Sequence, residues 1–180
     1  MSTLKVNGIR HSSGSSDAIS LTSDGAVTKA NQPAWSGNMS TAVTWSSGWT
    51  KLTINQSNYG SGFWDASNYR FVAPVTGIYA ISMNCEFNIG SGQIWIYANP
   101  RINANDTTST NAGIPFVDMS PTSGNSSNNS YNNYFSYNRT DFAKVTKDDY
   151  IEFWVSSSSG GNSFTVANST QSAFAIQLLS

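Results

Sequence analysis

The run Asp65-Ala66-Ser67-Asn68-Tyr69-Arg70-Phe71-Val72-Ala73-Pro74-Val75-Thr76-Gly77-Ile78-Tyr79-Ala80-Ile81-Ser82 constrains the fold more than any other part of the chain. It opens in a polar turn, passes through a short strand, bends at a Pro-punctuated stretch and then enters a long alternation. In that alternation Tyr79, Ile81, Met83, Cys85 and Phe87 share one face, while Ala80, Ser82, Asn84 and Glu86 share the other. A period of two identifies a strand with one core face and one small, polar face.

From residue 33 onward the pattern repeats as alternating runs separated by Gly, Asn, Ser and Pro, with no helical period. Near the C-terminus, Phe174, Ile176 and Leu178 oppose Ala173, Ala175 and Gln177. Leu52, Ile54, Phe71, Ile94, Ile96, Ile151, Phe153 and Val155 complete the expected core. Charged residues make up 11% of the chain and aromatics 13%, the balance of a β protein with uncharged polar loops. At 180 residues the chain accommodates one such domain with a substantial core. The expectation is an all-β, two-sheet sandwich over residues 32–180.

Arg70-Phe71-Val72-Ala73-Pro74-Val75-Thr76-Gly77-Ile78-Tyr79 resembles the signature of the C1q/TNF-like jelly roll, Arg/Lys-Phe-Thr/Val-Ala-Pro-x-x-Gly-x-Tyr. Phe142 to Val155 is similar to the penultimate hairpin of that family, with Asp148 in place of the usual turn glycine; aspartate tolerates the left-handed conformation such a turn needs. Ser172 to Leu179 is similar to its C-terminal core strand, and Pro33-Ala34-Trp35 to the opening of its first strand. The resemblance implies an antiparallel jelly-roll sandwich that works as a homotrimer and binds through its surface rather than through an active site. It also implies that the small faces carrying Ala80, Ser82, Asn84, Ala173, Ala175 and Gln177 form the trimer interface.

Residues 1–31 read as a separate arm. Leu4, Val6 and Ile9 are spaced apolar residues, Ser12 to Ser16 form a flexible break, and Ile19 and Leu21 alternate toward the Asp24-Gly25 turn and Val27. Strands this short are marginal in water, so these apolar residues need a further surface, either another subunit or another protein. The arm resembles the N-terminal segments of tail-fibre and related virion proteins of bacteriophages. That likeness implies a virion protein made in the host cytoplasm, anchored to other virion proteins by its arm. The leading expectation is a short tail fibre or fibre-tip adhesin contacting a host cell-surface protein or glycan; the alternative is a capsid decoration or cement protein. The absence of heptads and internal repeats means the chain cannot itself form a long shaft, which bears on that choice. A secreted C1q-like ligand or sugar-binding module is a third expectation. It is disfavoured because Met1-Ser2-Thr3-Leu4-Lys5-Val6 opens no apolar run long enough for a signal peptide or a membrane span.

The chemistry-bearing residues are sparse. A formal net charge of -1 without a basic cluster argues against nucleic-acid and anionic-membrane partners. Cys85 is the single cysteine, so no disulfide closes within the chain. His11 is the single histidine and lies in the arm, which leaves no hydrolytic triad and no zinc site with Cys85. Asp148 and Asp149 are adjacent in a turn and Asp65 sits in another, a poor basis for paired-carboxylate glycoside hydrolysis. Asp106 and Asp118 border a long loop but lack the spaced acidic pattern that calcium needs. The expectation is therefore no enzyme, no cofactor and no metal. Host contact is assigned to the region from Ser123 to Tyr137, around Asn132, Asn133 and Tyr134, whose amides and phenol suit adaptable recognition. The competing reading is that Tyr131, Phe135 and Tyr137 fill core or interface.

Overall fold

The structure, a computed structural model, describes residues 8–9, 19–21, 23, 27–28, 32–45, 47–89, 96–104, 133–157, 163–168 and 171–179. The chain divides into two compact units, Met1–Gln32 and Pro33–Ser180. In the N-terminal unit β1 (Gly8–Ile9), β2 (Ile19–Leu21) and β3 (Val27–Thr28) form an antiparallel sheet in that order. Ile9 lies opposite Ile19, and Leu21 opposite Val27. Leu4, Val6 and His11 lie outside the described residues.

The second unit contains β4 (Ala34–Asn38), β5 (Val43–Trp45), β6 (Thr50–Lys51), β7 (Gln56–Tyr59), a 3-10 turn at Ser61–Phe63, β8 (Trp64–Asp65), β9 (Arg70–Val72), β10 (Gly77–Ile89), β11 (Ile96–Ile102), β12 (Asn133–Val145), β13 (Tyr150–Ser157), β14 (Phe164–Val166) and β15 (Ala173–Leu178). These strands form two sheets, all of whose pairings are antiparallel.

Sheet I is built on β10. Its whole length pairs with β12 on one side, from Gly77 opposite Val145 to Ile89 opposite Asn133. The other side is shared end to end by β15, along Tyr79–Asn84, and β14, along Phe87–Ile89. β4 then pairs with β15, β7 with β4, and β5 with β14. Sheet II is built on β13, with β11 on one side and β6 and β9 on the other; β8 pairs with β9.

Alternation places the large residues between the sheets. Trp35, Tyr79, Ile81, Met83, Cys85, Phe87, Phe174 and Ile176 point inward from sheet I and are buried, as are Phe71, Ile96, Ile151, Phe153 and Val155 of sheet II. Leu52 and Ile54, in the link after β6, join the same core. Ile94 lies outside the described residues. The indoles of Trp35 on β4 and Trp64 on β8 stack with centroids 3.8 Å apart, clamping the two sheets together.

The Asp65–Ser82 run takes the form its residues require. The Asp65 carboxylate accepts from the backbone N–H groups of Ser67 and Asn68 and from the Asn68 amide, which closes the turn between β8 and β9. Pro74 lies in the bend after β9, and the Tyr79 hydroxyl donates to the Val75 carbonyl at 2.8 Å. Asp148 adopts φ 70° in the β12–β13 turn, the left-handed conformation that its replacement of glycine demanded.

Candidate functional site

Residues of sheet I that do not face the core form one continuous outer face. The register arranges them in rows across the strands. Ser36, Ala175, Ser82 and Thr140 make one row; Ala34, Gln177, Ala80 and Phe142 make the next. Ala173, Asn84 and Asn138 make a third on the opposite side of the Ser82 row. All six residues expected at the trimer interface, Ala80, Ser82, Asn84, Ala173, Ala175 and Gln177, therefore come together on this face.

Two features of the face stand out physically. At one end, large apolar side chains are open to solvent: Ile78 is 38% exposed, Leu179 45% and Phe142 66%. Ile78 and Leu179 are neighbours through a Leu179 N–H to Ile78 C=O bond of 2.8 Å, and Phe142 lies opposite Ala80 in the adjacent row. Val75, also exposed, sits in the bend that leads into β10 at the same end. Beside this apolar end, the small side chains of Ser36, Ser82 and Ala175 floor a shallow hollow of ≈ 380 Å³, bordered by Asn58, Asn138 and Thr140. The Ser82 and Thr140 hydroxyls are 2.9 Å apart and bonded to each other.

Charge is confined to the ends of the face, with Glu86 near one end of β10 and Lys144 opposite Ile78 near the other. Between them the described outward residues carry no formal charge. Two identical faces can thus meet over their centre without like-charge repulsion.

The outer side of sheet II has a different character. Arg101 lies with its guanidinium 3.7 Å from the Trp49 ring centre and 5.5 Å from that of Trp154. Lys51 Nζ donates to Glu152 Oε1 at 3.0 Å, and Trp154 Nε1 donates to Glu152 Oε2 at 3.0 Å. Arg101, Glu152 and Trp154 are buried, and the Glu152 carboxylate is taken up within this layer by Lys51 and Trp154.

Two of the acidic residues weighed for catalysis, Asp65 and Asp149, are likewise occupied in the architecture. Asp65 also accepts from Arg70 Nε at 3.1 Å. Asp149 accepts from the Asn103 amide at 2.6 Å and from the Thr146 N–H at 2.9 Å. Asp148 is exposed in the turn. Asp106 and Asp118 lie outside the described residues. Cys85 is fully buried, and loss of hydration pushes its thiol pKa up, away from reactivity.

Of the expected recognition region, Asn132, Tyr131 and the loop from Ser123 to Ser130 lie outside the described residues. Asn133 and Tyr134 belong to the start of β12, opposite Ile89 and Asn88. Tyr137 is buried and packs in the core. Sequence reading missed the apolar end. Phe142 shares its strand parity with Asn138 and Thr140, and that parity is the signal that placed it outward.

No protein-family model matches the chain, and no curated protein does. Solved structures do match. The Eiger TNF of S. frugiperda superposes with a TM-score of 0.57 at 12% sequence identity, over 83% of this chain and 93% of that one. The globular domain of zebrafish complement 1qA superposes with a TM-score of 0.52 at 14% identity, over 83% of this chain and 98% of that one. At these identities the likeness concerns architecture: the sandwich built by residues 33–180 is a C1q/TNF-like jelly roll.

Proposed function

We propose that the chain is a non-enzymatic binding module that works as a homotrimer, with the outer face of sheet I as the seam between copies. The observation that carries this reading is the exposed apolar end, Ile78, Leu179 and Phe142, on a face whose centre is uncharged. A strand of β10's length and the strands beside it span a face of roughly 800 Å² at ordinary strand spacing. That is on the order of what each member of a stable complex buries, about 800 Å². Three identical faces around an axis bury the apolar end and leave sheet II and the loops free to bind.

In this reading the N-terminal unit joins the head to a larger assembly, and its likeness to phage tail-fibre segments favours a virion, with the head as a fibre-tip adhesin. Recognition then belongs to the region from Ser123 to Tyr137, where repeated amides and hydroxyls offer donors and acceptors and Tyr134 offers an aromatic surface. The absence of heptads and repeats from the sequence favours a second reading, a capsid decoration protein, because that role needs no shaft.

Light scattering of the intact chain tests the assembly. Wild type is expected at three times the chain mass. Ala175→Arg, which puts a charge in the seam, and Phe142→Asp, which removes the apolar anchor, are expected at the monomer mass with the fold retained. A monomeric wild type, or an Ala175→Arg variant of unchanged mass, rules out this seam. Adsorption to host cells by the Asn132→Ala/Asn133→Ala/Tyr134→Ala variant tests recognition, and unchanged adsorption favours decoration.

A further inference from the structure

We infer that a row of asparagines across the outer face of sheet I, Asn38, Asn84 and Asn138, sets the register in which copies of the chain associate; the inference rests on the self-association reading above. Asn84 lies opposite Asn138 on β12 and opposite Ala173 on β15. Continuing the β4–β15 register one residue past Gly37 and Phe174 brings Asn38 to the other side of Ala173. The row thus spans four strands, lining one side of the hollow and away from the apolar end.

Within a single copy these amides are incompletely used. The side-chain oxygens of Asn38 and Asn84 are buried against the sheet and accept no hydrogen bond among the described residues. The neighbouring row has no such deficit, because Ser82 and Thr140 satisfy each other. A buried acceptor without a donor is costly, so this row gains most when a new donor arrives. An asparagine amide supplies both donors and an acceptor, and identical side chains can therefore bond to one another. Rotation about the broad terminal torsion turns the oxygen from the sheet toward the next copy.

The apolar end cannot perform this task. Apolar burial is non-directional, and Phe142 gains from any apolar surface that covers it. In register and with strands running the same way, asparagine row meets asparagine row and apolar end meets apolar end. A copy slipped by one outward position moves about 7 Å along the strands and sets the amides against the alanine and serine rows. A copy with strands reversed about the Ser82 row sets them against the row of Ala34, Gln177, Ala80 and Phe142. Reversal also brings Glu86 near Lys144, but an exposed ion pair contributes less than stranded buried amides lose. The row thus acts by penalising wrong arrangements, as a single buried asparagine does in a coiled coil.

The test places a nitroxide on Lys147→Cys, in the exposed β12–β13 turn of the intact chain, where the buried Cys85 stays unlabelled. With the asparagines present, one inter-copy distance is expected. With Asn38→Leu and Asn84→Leu together, the oligomeric mass is expected to persist while a second distance appears, because apolar association remains and register is lost. Asn38→Ser with Asn84→Ser, checked by melting temperature, gives the same readout where the leucine pair does not fold. A single distance at unchanged mass in a folded variant overturns the register role and leaves self-association standing. Loss of association in folded variants also overturns it, by making the row a source of affinity. A monomeric parent chain instead overturns the self-association reading itself.

Discussion

Two glycines with positive φ, Gly48 and Gly60, yield a contrasting pair of predictions. Gly60, at φ 70°, packs so closely under the start of β4 that a Cβ there would lie 1.8 Å from the Ala34 carbonyl oxygen. Gly48, at φ 59°, has nothing within 4 Å of its virtual Cβ. Gly48→Ala should therefore cost only the left-handed penalty of about 1–2 kcal/mol. Gly60→Ala must also displace β4, and chemical denaturation should show a clearly larger loss; equal losses would mean that β4 moves freely. Asn103, at φ 52°, donates to Asp149 and accepts from the Tyr150 N–H at 2.9 Å, tying the end of β11 to the start of β13. The Asn103 amide, followed by the Thr146 N–H, holds the Asp149 carboxyl below its usual pKa. A depressed folded-state pKa contributes stability that is full above the unfolded value of about 3.9 and is lost as pH falls through the folded value. Asp149→Asn should accordingly melt below wild type at pH 7, and the gap should close at pH values below the carboxylate range. A gap that persists in acid would assign the loss to shape rather than charge.

At the level of elements, β12 bears most directly on the proposed self-association. It is a 13-residue strand whose far edge pairs with no strand among the described residues, a configuration that invites edge-to-edge aggregation. Its inward parity carries an ion pair, Arg139 with Asp141, both largely buried, and Arg139 also donates to Asn99 at 3.2 Å. Inward-pointing charge is a device that keeps such an edge from extending its sheet. Asp141→Ala strands the buried guanidinium and should cost on the order of 3–5 kcal/mol by denaturation. Replacing both residues with leucine should hold stability near wild type yet raise aggregation on heating, read by turbidity; a soluble, stable double variant would deny the edge any protective role. This strand also marks the limit of what the sequence discloses. The faces of β10 and β15, the buried Trp35 and the left-handed Asp148 were all legible, because one residue in two was large and apolar or a motif position dictated the turn. In β12 the inward positions Arg139 and Asp141 are charged while Phe142 faces out, which blurs the parity that Tyr137 and Val145 set. The layer of Arg101, Trp49 and Glu152 on sheet II was hidden for a similar reason: its partners lie far apart in sequence, and only the strand register brings them together.

For the molecule as a whole, the chain divides into two compact units, Met1–Gln32 and Pro33–Ser180, and the proposed function gives attachment to the first. Among the described residues, the core of the head runs from Trp35 to Ile176. The N-terminal sheet, by contrast, has strands of two or three residues, too short to be stable in water without a further surface. Deleting residues 1–32 should therefore leave the melting temperature of the head within a few degrees of the full chain and its oligomeric mass at the same multiple of the subunit. Under the proposed virion role, incorporation into the particle, measured by co-sedimentation of added protein with particles lacking it, should fall to background. Replacing Ile9, Ile19 and Leu21 with serine in the full chain should have the same effect if apolar docking of this sheet is what attaches the head. A truncated head that still co-sediments would move attachment to the jelly roll and favour a decoration role, whereas a sharp drop in its melting temperature would make the N-terminal sheet part of the folded domain.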